Sequence, residues 1–363
     1  MAGQDPMLAT TDPLTLATLY LCDIAYANDI STIPTLVQKA PPLTKSGAWR
    51  CLWGPAQSSD QSNLAFVAGY SVQPGFAVQS ICVTIRGTDI YSGEDIWGIL
   101  EQIWQDLDAT SQVPLPWAPG NTARIAQGTS DGLTVIVGLT DNSGVSLADY
   151  LNGFLGAASN ANATSVVTGH SLGGCLATVV APWIESIRPA SYKGIIQPVT
   201  FAAPTAGNAD FAAYYSTLFP MARRFQNTLD VIPLGFENLF GILDIYSRDG
   251  LDAPDMVWTG ILGMQALLDY YNVSYTQPYQ GKQSLPGVFF GKDRDDWYAQ
   301  ALHQHHLATY RSLLTGKLVD VTSLPQSATT LGKEARLAKR LGSIDEVLKR
   351  TVTRGAERGP QAA

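Results

Sequence analysis

Charge is scarce in this sequence. Asp, Glu, Lys and Arg make up 15% of its 363 residues, where an average soluble domain carries about 25%. Basic residues are the scarcer sign, 23 Lys and Arg against 31 Asp and Glu, for a formal charge of −8. That balance argues against a nucleic-acid binder, because phosphate contacts need clustered Lys and Arg. Heparin-like and anionic-lipid partners are disfavoured for the same reason. Long apolar runs are lacking too. The longest notable one, Met256 to Leu268, has 13 residues, and a spanning helix needs about 20, so no transmembrane segment is expected. The N-terminus has no basic region followed by an apolar core, so no signal peptide is read and no compartment is assigned. Cysteine is sparse: Cys22, Cys51, Cys82 and Cys175 form neither a CxxC pair nor a metal-ligand spacing. Cys82 and Cys175 sit in apolar contexts and read as buried thiols, which leaves Cys22 with Cys51 as the pair open to a disulfide. What the chain has in quantity is apolar residues, 45%. At this length they build a core that needs no staple.

The apolar pattern alternates between two periods. Leu14 to Asn28 repeats Leu16, Leu19, Tyr20 and Ile24 at helical spacing. Asn63 to Ser71 and Val78 to Ile85 are β-type runs. Tyr91 to Leu107 predicts an amphipathic helix, Val135 to Leu139 a short β-branched strand, and Leu147 to Ala158 a helix. Thr164 to Thr168, Gly194 to Ala203 and Arg223 to Asn227 predict strands, with Ala209 to Leu218 a helix between the last two. Strands alternating with helices predict an α/β fold with a mostly parallel sheet covered on both faces. Residues 331–363 depart from the body. They hold eight basic and four acidic side chains among spaced leucines, which predicts a solvated helical extension.

One segment carries chemistry: Gly169-His170-Ser171-Leu172-Gly173, followed by Gly174. It matches G-x-S-x-G between an apolar strand and a helix. A sharp strand-to-helix turn there holds a serine hydroxyl clear of the sheet, and glycines on either side let neighbouring backbone approach. The helix N-terminus aims N–H groups at developing negative charge. A nucleophilic serine needs a base and an orienting acid. The chain has four histidines. His170 shares the turn with Ser171 and reaches its hydroxyl poorly, so the base comes from His303-Gln304-His305-His306. A metal site built on H-x-H-H alone, with no nearby Cys or HExxH, is weakly indicated. The acid falls between serine and base. Asp230 fits best, just past the strand-like Arg223 to Asn227, whereas Asp210, Asp244, Asp249, Asp252, Asp255 and Asp269 lie in helical or polar contexts.

With these segments in view the chain resembles the class 3 lipases, the fungal-type triacylglycerol lipase family. Val83 to Thr88 resembles the family's strand and RG[ST] oxyanion loop, Trp104 to Leu107 its W-x-D-L element, and Thr168 to Gly174 its T-G-H-S-L-G-G turn. Thr200 to Pro204 with Gly207-Asn208 resembles its FGAP…GN element, Asn227 to Pro233 its acid loop, and Leu16 to Asn28 its first helix. The motifs run in family order over residues 14–310 and leave 311–363 uncovered. The resemblance implies an α/β-hydrolase fold with helical lid and cap insertions. It makes Ser171 the nucleophile and Asp230 the acid, with Thr88 and Leu172 the oxyanion hole. The family's H-x-x-x-[TSA]-Y-x-x-L pattern selects His305 as base, through Tyr310 and Leu313, ahead of His306.

The expected organisation is a leader over 1–13, an α/β-hydrolase domain over 14–320 and a basic helical extension over 321–363. Within the domain a lid falls at about 89–105 and a cap insertion at about 236–296. The expected function is acyl-ester hydrolysis through an acyl-enzyme, as a lipase, with no metal or organic cofactor. A lipid or ester substrate and a transient lipid–water interface are the expected partners. Phospholipase A1 or short-chain esterase activity uses the same machinery. A silent lipid-binding module is disfavoured, because it has no reason to keep Ser, Asp, His and RGT together.

Overall fold

The computed structural model describes residues 12–87, 103–104, 106–293 and 295–316. The chain opens with helices α1 (Pro13–Ile24), α2 (Ile33–Lys39) and α3 (Pro41–Thr44), then strands β1 (Ala48–Gln57), β2 (Leu64–Ser71) and β3 (Ser80–Ile85). A short hairpin, β4 (Gln112–Pro114) and β5 (Arg124–Ala126), leads into α4 (Gln127–Gly138) and α5 (Leu147–Gly156). Then follow β6 (Thr164–His170), α6 (Leu172–Ser186), β7 (Ile196–Phe201), α7 (Ala209–Leu218) and β8 (Arg223–Asn227). The remaining elements are α8 (Leu239–Asp244), α9 (Asp255–Tyr270), β9 (Lys282–Leu285), α10 (Trp297–His305) and α11 (Leu307–Thr315).

Seven strands form one sheet in the order β1-β2-β3-β6-β7-β8-β9. β1 to β3 pair antiparallel, and from β3 to β9 every neighbour is parallel. This is the α/β-hydrolase architecture. Alternation along the strands builds a core on each face. Ala65, Val67, Val83 and Val167 point into one core with α4, α5 and α6, while Phe66, Ala68, Cys82 and Val166 point into the other with α1 and α11. Each large apolar side chain buried this way contributes roughly 1.5–3 kcal/mol. The parallel strands end together, which places the turns after β3, β6 and β8 at one edge, where ligand sites of open α/β sheets form.

Most predicted elements stand where the pattern puts them. Val135 to Leu139 is the exception: it is no strand but the last turn of α4 and the residue after it. Leu133 and Ile136 of α4 are buried, and Gly132 lies against Leu176 of α6. Packing at helical spacing therefore overrides the β preference of the branched residues. The four cysteines are free. Cys22 Sγ meets Thr168 Oγ1 at 3.4 Å and Cys51 Sγ meets the Trp53 carbonyl at 3.3 Å, so the pair open to a disulfide is not joined. Of the expected lid at 89–105, Ile103 and Trp104 alone lie among the described residues. The 321–363 extension lies outside them. No described helix is long and apolar enough to cross a membrane.

Candidate active site

The turn after β6 is tight and strained. Ser171 has φ 60° and ψ −132°, a conformation that costs a non-glycine residue about 1–3 kcal/mol. Surrounding backbone holds it there: its N–H donates to the Phe201 carbonyl on β7 at 3.0 Å, and its carbonyl accepts from Gly174 and Cys175 as α6 begins. The flanking glycines are sterically required. A Cβ on Gly169 would lie 2.2 Å from the Gly173 carbonyl oxygen, and one on Gly173 would lie 2.3 Å from that of Ile85. The backbone leaving β3 therefore rests directly on the serine turn. Leu172 is the first residue of α6, so its N–H has no acceptor inside the helix. Thr88, the other expected oxyanion residue, lies outside the described residues.

Asp230 follows β8 in a loop closed by its own N–H to the Asn227 carbonyl at 3.0 Å. Its carboxylate is buried and takes four hydrogen bonds. His305 Nδ1 lies 2.9 and 3.1 Å from its two oxygens, the Ile232 N–H donates at 3.0 Å and the Tyr310 hydroxyl at 2.7 Å. A carboxylate oxygen accepts, so His305 Nδ1 carries the proton and Nε2 is left with its lone pair. Burial and the Asp230 charge push the Tyr310 phenol well above its ordinary value, so it remains a donor. Ser171 Oγ and His305 Nε2 are buried, and neither has a hydrogen-bond partner among the described residues. They are not bonded to one another. His305 nonetheless lies over the serine turn, because the ring of His170 packs on its ring with centroids 4.6 Å apart.

The other histidines of the cluster have different partners. His303 Nδ1 pairs with Asp293. His306 Nδ1 accepts from the Ala308 N–H at 3.0 Å and caps α11. Burial lowers the His306 pKa to about 4. Of the three, His305 is the one joined to a buried carboxylate.

Residues 82–238 match the model of the family described as Lipase (class 3), a stretch that holds the serine turn and the Asp230 loop. Through these residues the chain is similar to the class 3 lipases. The fold is similar to that of M37 lipase, with a TM-score of 0.71 at 24% identity over 85% of this chain and 93% of that one. Lipase ZK262.3 of Caenorhabditis elegans is 45% identical over 69 residues, which are 18% of this chain and 19% of that protein. The chain thus spans about a fifth of the length of the curated relative it matches.

His305 lies beyond the family match, so its placement rests on geometry. Asn227 of the acid loop and two residues with no motif signal of their own, Gln300 and Gln304, supply much of it. Asn227 donates through Nδ2 to the Gln304 carbonyl at 2.9 Å and to its side-chain oxygen at 2.7 Å. Gln304 in turn donates to the Val288 carbonyl and to Gln300. Asn227, Gln300 and Gln304 are all buried. The readable sign of such a network is an amide side chain in an otherwise apolar strand or helix face, since buried amides must find partners.

Proposed function

We propose that this chain acts as a class 3 lipase, a serine carboxylester hydrolase that cleaves acyl esters of glycerol through an acyl-enzyme. His305 Nε2 takes the proton from Ser171 Oγ as that oxygen attacks the acyl carbonyl carbon. The Leu172 N–H and Thr88 bind the oxyanion. The imidazolium, held by Asp230, returns its proton to the departing alcohol as the ester C–O bond breaks. Water then attacks the acyl-Ser171 carbon with His305 again as base, which releases the fatty acid and restores the serine. Nothing in these steps calls for a metal or organic cofactor. Residues 89–105 are proposed as the lid and 236–296 as the cap over the acyl chain, within a domain ending near 320. Residues 321–363 are proposed as a separate basic extension.

The observation that carries this reading is the His305–Asp230 contact. A buried imidazole has Nδ1–H fixed on a buried carboxylate and Nε2 without a hydrogen-bond partner among the described residues, beside a strained serine turn. The test is hydrolysis of p-nitrophenyl esters from C2 to C16 by the wild type and Ser171→Ala. Activity rising toward long chains and lost in the variant supports a lipase. Activity confined to C2–C4 reassigns it as a short-chain esterase, and preference for a phospholipid over a triglyceride as a phospholipase A1. A chain that hydrolyses none of them is a binding module.

A further inference from the structure

His170 is a buried titratable group that the mechanism above leaves unused. Both its ring nitrogens are engaged. Nε2 lies 2.8 Å from the main-chain carbonyl of His305, and Nδ1 lies 3.3 Å from the Tyr26 hydroxyl. A carbonyl accepts only, so Nε2 carries the proton and Nδ1 accepts from Tyr26. The carbonyl it reaches is special, because His305 is the last residue of α10 and helix ends leave their final carbonyls without intrahelical donors. Here three successive carbonyls each receive a donor from another side chain. His303 takes the Thr309 hydroxyl, Gln304 takes the Asn227 amide and His305 takes the His170 ring. Asn227 comes from the acid's loop and His170 from the nucleophile's own turn. The end of the helix that carries the base is thus tied to both other members of the triad.

We propose that His170 is a positioning residue that locks the proposed base onto the serine turn through the His305 carbonyl and must stay neutral to do so. This rests on the triad reading. The groups that face it are Tyr26 past α1, His305 at the end of α10, His306 before α11, and Tyr310 on α11, whose ring meets it edge-on. Burial first, then the neighbouring His305, holds its pKa well below the ordinary imidazole value. The base can therefore become imidazolium during turnover while the ring stacked on it remains uncharged.

The test exploits the geometry of the two amides. Glutamine places its NH₂ near the position of Nε2, and asparagine places it near Nδ1. Kinetics on soluble p-nitrophenyl butyrate, normalised to folded protein by thermal melting, should show His170→Asn losing about 10–100-fold in kcat, as small misplacements of catalytic groups do. KM should hold, and His170→Gln should recover most of the loss. Equal activity in wild type and both variants overturns the proposal, as does an equal loss in both or a loss carried by KM. Histidine-selective ¹⁵N NMR of the wild type needs no variant to fold. It should show His170 as the Nε2–H tautomer and still unprotonated well below the ordinary imidazole value, and an Nδ1–H tautomer or titration at that ordinary value contradicts the proposal. Ser171→Ala and His305→Ala run alongside. If either stays active the triad reading fails, whereas two inactive controls beside a fully active His170→Asn defeat this inference alone.

Discussion

The corner around Asp230 and the helix α9 solve opposite problems. At the corner, Asp230, Asn227, Gln304, His305 and Tyr310 are buried, and hydrogen bonds join each to another member of the group. Among the described residues, the side-chain bonds seen in α9 run within the helix itself. It buries Val257, Ile261 and Leu268 on one stripe and leaves Trp258 at 42%, Leu262 at 49% and Tyr270 at 80% exposure. One region fixes a geometry through directional bonds, and the other offers apolar area that no directional bond constrains. We propose that the first carries the chemistry and the second contacts the acyl chain. Changes at the corner should therefore strike kcat, and changes on α9 should strike selectivity.

The largest effect breaks the corner at its reacting atom. Ser171→Ala should lower kcat on the order of 10⁶-fold, as loss of a triad nucleophile does, with the thermal melt preserved or raised, because the buried hydroxyl makes no hydrogen bond among the described residues. Steady-state rates on p-nitrophenyl butyrate read this directly. Asp230→Asn comes next, at about 10⁴-fold, because an amide cannot hold the imidazole in the required tautomer. Residual activity near wild type would move the acid role to another aspartate.

His305→Ala and His306→Ala sharpen the comparison within one tetrapeptide. The first should be inactive. The second should keep its rate and lose about 1 kcal/mol of stability with the α11 cap, measured by urea unfolding. The reverse pattern would reassign the base.

Buried histidines also give the fold a pH signature. The unfolded chain takes up a proton on His306 near pH 6.5, whereas the folded chain does so only near 4. Below pH 6.5 protons thus favour the unfolded state, and stability falls until the folded pKa is passed, by about 3 kcal/mol at most for this group. Urea midpoints at pH 7 and pH 4.5 should differ less in His306→Gln than in wild type. An unchanged difference would show that His306 does not contribute to the slope.

The smallest effect belongs to α9. Trp258→Ser with Leu262→Ser removes exposed apolar surface, so stability should move by no more than about 0.5 kcal/mol per site. Activity on p-nitrophenyl butyrate should hold, while activity on the palmitate ester should drop severalfold. Equal loss on both esters would place α9 with the corner rather than with the substrate.

What the sequence makes legible follows the same division. Ser171 is readable because its chemistry demands a local device, a strained turn with glycines on both sides, and local devices leave motifs. Asp230 is readable from the strand it follows, and His305 from its spacing to Tyr310. The bonds that hold them are another matter. Asn227 meets Gln304 across 77 residues and His170 meets His305 across 135, and no window of sequence records such a meeting. Tyr310 counts in the sequence as a spacing mark, and only the fold turns it into a donor to Asp230. Val135 to Leu139 fails for a related reason, since its β-branched residues obey a helix partner that sequence does not display.

The central claim is that Ser171, activated by His305, is the nucleophile. Reaction with a fluorophosphonate, followed by peptide mass mapping, tests it most directly, because the reagent bonds to an activated serine whatever the natural substrate. The account predicts one adduct, on Ser171, formed rapidly in the wild type and lost in His305→Ala. An adduct on a different serine, or equal labelling of Ser171 without His305, would contradict it.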